Sequence, residues 1–150
     1  MNKLREFLKD NPRTSIVFAA LIGVLFSVLH EGFQKLLLPV ASYLQPFLLN
    51  SNSSFFSEVV VNCLFQGLIA LVACLVIVPL FVKTLRPQSM RYPLVAVGAD
   101  LIYSFWWLPF SIYLNTWPAP IEYMPVLYWS SCVTSAIFLG SLLWVVRKTH

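Results

Sequence analysis

Six polar residues interrupt apolar runs where chemistry is conceivable: His30, Glu31, Glu58, Asn62, Gln66 and Asp100. Glu58, Asn62 and Gln66 recur at i, i+4 and i+8, so they share one face of a helix, and Ala70 and Ala73 continue that face. His30 and Glu31 stand above a matching face of Ala20, Gly23 and Ser27 in an earlier run. Polar groups surrounded by apolar solvent must find partners inside the protein. Packing the two faces together would form an outward-facing notch of His30, Glu31, Glu58, Asn62 and Gln66, able to bind an ion, a proton or a partner. A plainer outcome uses the same residues. Asn and Gln then act as interhelical hydrogen-bonders, and Glu31 pairs with Lys35 at i,i+4 as an interfacial salt bridge closing the first run.

Asp100 lies inside the apolar stretch from Pro93 to Thr116. Ionisable residues at such positions are costly and usually face a bundle interior or a water-filled cavity. By helical rise it lies roughly 10 Å from the start of its run, and His30 about 22 Å along the first one. Those depths place Asp100 near Gly23 and Gly140 and leave roughly 12 Å between it and the notch. Two roles fit: a protonated acid hydrogen-bonding across the bundle, or a proton or cation site reached from the cytoplasmic side.

Other chemistry lacks its residues. No glycine-rich phosphate loop, HExxH, GxSxG or CxxC pattern occurs. Ser104, Ser111, Ser130, Ser131 and Ser135 have no His or Lys at a depth suited to a serine nucleophile. Cys63, Cys74 and Cys132 all lie in apolar segments, where cysteine behaves as a small hydrophobe. No catalysis, cofactor or metal is expected.

The elements that must hold these residues are spanning helices. Hydrophobic residues make up 59% of the chain and charged residues 11%, against roughly a quarter charged in soluble domains. A spanning helix needs about 20 apolar residues, and four stretches qualify, about 15–34, 57–82, 93–116 and 123–146. The fold class expected is all-α: a polytopic integral membrane protein in a single domain, built as a four-transmembrane-helix bundle. The segment 36–56 is apolar but interrupted by Pro39 and Pro46, so an outer interfacial or re-entrant path is expected after helix 1.

Orientation follows from the basic residues. Lys3, Arg5, Lys9 and Arg13 precede the first stretch, Lys83, Arg86 and Arg91 separate the second from the third, and Arg147 and Lys148 follow the fourth. Basic residues favour cytoplasmic loops. The pattern therefore predicts a cytoplasmic N-terminus (1–14) and a cytoplasmic tail (147–150), with a bacterial inner membrane as the expected location. The same clustering beside apolar runs assigns the net charge of +4 to orientation and not to nucleic acid.

The function these features predict is non-enzymatic: a small integral membrane protein that binds within the bilayer or at its edge. It would be an accessory subunit, a sensor or an immunity- or defence-type partner, in contact with lipid and with a membrane protein or a second copy of itself. The alternative is a small proton- or ion-coupled transporter or channel using Asp100 and the outer notch. Topology is directly testable. In a variant lacking Cys63, Cys74 and Cys132, single cysteines at positions 52 and 119 are expected to react with an impermeant thiol reagent in intact cells. Protection of both until the cells are permeabilised would reverse the orientation.

Overall fold

The protein is described from a computed structural model, which covers residues 6–8, 10–48, 55–85, 90–113 and 124–149. Four helices make up almost all of it: α1 (Pro12–Leu48), α2 (Phe55–Leu85), α3 (Arg91–Tyr113) and α4 (Met124–Thr149). No strand occurs among the described residues. Pro12 opens α1 at a position where its missing N–H would have no partner, and Ser15 ties down the preceding turn by donating to the Leu8 carbonyl at 2.6 Å. Leu8 is buried with the core residues at this end, so the N-terminal segment does not act only as a basic tail.

Three helical stretches are long and apolar enough to cross a membrane, Pro12–Val40, Ser57–Leu85 and Pro125–Lys148. α3 is not among them. It spans 23 residues and carries Asp100 within its length.

α1 departs from expectation. The chain stays helical through Pro39 and Pro46 to Leu48, so residues 36–48 extend α1 and do not fold back. Each proline removes one i→i−4 hydrogen bond, but the helix continues on either side of both. Its 37 residues give α1 a length of about 55 Å. The connectors at 49–54, 86–89 and 114–123, which include Asn52, Trp117 and Tyr123, lie outside the described residues.

Pairwise contacts fix the arrangement. α1 packs on α2 and α3, and α4 packs on α2 and α3. Going round the bundle the order is α1, α2, α4, α3. α1 and α3 run parallel: the backbone of Ala96 rests on Gly23, Ser27 meets Asp100 one turn on, and Glu31 reaches Tyr103 one turn further. α2 and α4 are parallel too, with Asn62 against Ser130 and Gly67 against Val133 and Ile137. Asp100 with Ser135 and Phe105 with Tyr128 make α3 and α4 antiparallel. The core combines small residues (Ala19, Ala70, Ala73, Ala96) with a few large ones. Phe26 and Phe138 stack across the diagonal at 4.1 Å between ring centroids.

Small residues let helices approach closely, and Gly23 shows how closely. A Cβ placed there would run into the Ala96 carbonyl oxygen, a clash that only backbone displacement can relieve. Gly140 is the opposite case: it is exposed, with nothing within 4 Å of an added Cβ. Gly23→Ala is therefore expected to destabilise by about 1–3 kcal/mol, the usual scale of overpacking. Gly140→Ala is expected to be neutral or slightly stabilising, since alanine is the better helix former. Thermal unfolding of the two variants in detergent checks the contrast. Equal effects would mean that α1 and α3 are not in contact at Gly23.

Candidate functional site

Asp100 is 2% exposed and joins three helices. Ser27 on α1 donates to its Oδ1 at 2.6 Å, and Ser135 on α4 donates to its Oδ2 at 2.5 Å. Hydrogen bonds of hydroxyls to a carboxylate are short, near 2.5–2.7 Å, and stronger than neutral ones. The local sequence explains why these serines are available. In a helix, a serine hydroxyl commonly donates to the carbonyl four residues back, and Ser130, Ser131 and Ser141 do so at 2.8–3.0 Å. Ser135 donates to Asp100 instead. Ser27 has a carbonyl within reach, Gly23 O at 3.3 Å, but Asp100 is nearer.

Gly23 lies one turn below Ser27, as the small-residue face of α1 suggested. Gly140 does not face Asp100. Gly140 is exposed and lies five residues, about 7.5 Å of helical rise, from the Ser135 that meets Asp100. Ser135 is the α4 partner, on a buried stripe with Phe138 and Leu142 that the evenly apolar run does not mark in the sequence.

The depth estimate also needs correcting. Ser27 and Asp100 are level, so Asp100 stands about one helical turn, roughly 5 Å, below His30 and Glu31 and not 12 Å. The error came from counting each run from its own first apolar residue. Gly23 is level with Ala96 and Ser27 with Asp100, so α1, which begins at Pro12, starts roughly 9 Å below the start of α3 at Arg91.

The remaining polar residues divide between two faces. His30 lies with its Nε2 at 3.3 Å from the backbone oxygen of Gln66, and its ring stacks near Phe26, 6.1 Å between centroids. Glu31 accepts from Lys35 at 2.9 Å and reaches Tyr103 on α3. Asn62 turns away from α1: its Nδ2 donates to Ser130 Oγ on α4 at 2.7 Å, while Ser130 passes its own proton to Val126 O. Glu58 is half-buried in the first turn of α2. The structure thus brings His30 to Gln66 and Glu31 to Lys35, and places Asn62 in a separate α2–α4 contact. Sequence reasoning missed Tyr103, Ser27, Ser130 and Ser135 as partners, because a hydroxyl inside a helix carries no periodic signature of its own.

No cluster of three or more His, Cys, Asp or Glu suited to a metal ion occurs among the described residues. Neither a protein-family model, nor a curated protein, nor a solved structure matches this chain.

Each serine supplies one of the two hydrogen bonds at Asp100, and removing a partner from a buried polar group costs about 1–3 kcal/mol. Ser27→Ala and Ser135→Ala are each expected to lower unfolding free energy by that amount. The pair is expected to be non-additive, because both act on one carboxyl group. A double-mutant cycle in detergent measures the coupling, and strict additivity would show that the carboxyl does not join the three helices.

Proposed function

We propose that this chain is a four-span integral membrane protein, with both termini in the cytoplasm of a bacterial cell, that acts by binding within the membrane and not by catalysis. The observation carrying this reading is an inversion of polarity. Asp100 is 2% exposed, whereas Leu75 is 76% and Trp106 75% exposed. In water, such a surface forms large apolar patches that soluble monomers avoid. In lipid it is the expected arrangement, with polar groups satisfied internally. α3 serves as the fourth span because it lies along α1 from Gly23–Ala96 to Glu31–Tyr103. A helix held at that depth beside an apolar neighbour shares its solvent.

Binding is favoured by the outer face of α4. Cys132, Ala136 and Gly140 are all exposed on it, four residues apart, the spacing that permits close approach of a further helix. A membrane protein partner or a second copy of this chain fits there. Gly140→Leu is expected to leave the melting temperature unchanged and to abolish co-purification of that partner from native membranes, or dimer formation reported by Cys132 cross-linking. Association that survives the substitution would rule out this face.

A second reading, ion-coupled transport, is favoured by the register of α1 and α3. Asp100 lies one turn from His30, Glu31 and Tyr103, which removes the gap that sequence depth implied. In proteoliposomes, transport would appear as a proton or cation flux that Asp100→Asn abolishes. Absence of flux from the folded wild type would leave binding alone.

A further inference from the structure

One end of the bundle carries basic side chains that the reading above leaves without a partner. Arg13 on α1, Lys83 on α2, Arg91 at the start of α3, and Arg147 and Lys148 on α4 are all exposed. Contacts between helices show how nearly level they are. His30 meets Gln66 between the antiparallel α1 and α2, and Arg13 and Lys83 each lie seventeen residues from that contact, about 26 Å toward the same end. Asn62 meets Ser130 between the parallel α2 and α4, and counting on from that pair brings Lys148 to within about one helical turn of Lys83. Among the described residues, the acids at this end are Glu6 and Asp10, both exposed, so the charge here is net positive. The ion pair Glu31–Lys35 lies toward the other end.

We propose that these bases form a belt that binds the phosphates of anionic phospholipid headgroups, so that the protein gathers acidic lipid around one end. The proposal rests on the membrane reading above and names a lipid class as partner. Lys83 directly follows the apolar residues Leu80, Phe81 and Val82, and Arg147 follows Val145 and Val146, in helices long and apolar enough to cross a membrane. Their stems can lie along that apolar surface while the charges reach the headgroups. The Lys148 Nζ lies 4.0 Å from the centroid of the Trp144 ring, and Trp144 is 60% exposed. An exposed tryptophan at the end of a span favours the headgroup level, which puts Lys148 there as well. The distribution of the bases favours lipid over an acidic polypeptide. Every helix of the bundle contributes one, so a lipid annulus meets them all, whereas a polypeptide docked on one face meets one or two.

The test is fluorescence quenching by brominated lipids in vesicles, using the full-length protein with Trp144 kept and its other tryptophans changed to Phe. Brominated phosphatidylglycerol is expected to quench Trp144 as if enriched roughly fivefold over brominated phosphatidylcholine at low salt, the scale of one base near an anionic surface. Added NaCl is expected to remove most of that enrichment, because exposed charges are screened. Combining Lys83→Gln, Arg147→Gln and Lys148→Gln is expected to abolish it, and the ratio between the two lipids cancels any change in the brightness of Trp144 itself. Lys35→Gln, at the other end, is expected to leave it unchanged. The salt dependence carries the test even if the triple variant does not insert. Equal quenching by the two lipids overturns the proposal, as does a triple variant that keeps the full enrichment. Equal quenching together with binding of poly-glutamate would assign the bases to an acidic polypeptide instead. Quenching by neither lipid would overturn the membrane reading along with the belt.

Discussion

A carboxyl group removed from water must be matched by donors, and in this bundle the Asp100 carboxyl draws hydroxyls from two other helices, Ser27 from α1 and Ser135 from α4. Much of the architecture follows from that requirement. For Ser27 to reach α3, the backbones of α1 and α3 must come close, and Gly23 and Ala96 allow this one turn below. For Ser135 to reach the same group, α4 must present its buried stripe to α3 as well as to α2. The bundle order, with α2 and α3 on opposite corners, satisfies both demands at once.

Apolar packing cannot by itself specify that order. In lipid, helix association gains little from hydrophobic burial and relies on close fit and hydrogen bonds. The large residues Phe26, Phe81, Phe138 and Leu142 fill the interior, but similar side chains also cover the outside. A rotation of one helix by half a turn would exchange one apolar face for another at small cost. The same rotation would carry Asp100 out of the bundle and away from Ser27 and Ser135. The buried acid thus sets the rotational position of α3, and the Asn62–Ser130 hydrogen bond does the same for α2 against α4. Specificity of packing as a use of buried polar groups has precedent in coiled coils.

Composition and runs of apolar residues made the helical class legible, and they located the elements to within a few residues except at the end of α1, which runs to Leu48 and not to about residue 34. The burial of Asp100 was legible from its position inside an apolar run. Its partners were not. A serine in a helix normally bonds its own backbone, so Ser135 cannot be told from Ser131 or Ser141 without knowing which way α4 is turned. Depth counting failed for a related reason: α1 and α3 start at different levels, by an amount the sequence does not mark, and about one turn of error moved Asp100 from Ser27 to the level of Gly23. Pro39 misled in the opposite direction. Proline removes one backbone hydrogen bond and crowds the carbonyl four residues back, which a helix can absorb as a kink without ending.

The structure also separates two kinds of small residue that look identical in sequence. Ala19-x-x-x-Gly23 and Ala136-x-x-x-Gly140 share a spacing, yet Ala19 and Gly23 are buried and Ala136 and Gly140 exposed. The first pair lies where α1 and α3 nearly touch. The second leaves α4 with a shallow strip bounded by larger side chains such as Trp129 and Trp144. If lipid alone covered α4, a shallow strip would serve no packing purpose, because acyl chains conform to large and small residues alike. A helix does not conform, and its approach is limited by the largest side chain in its way. A close-approach spacing on an outer face suits a further helix lying against it, and this is the argument for the binding proposed on the outside of α4.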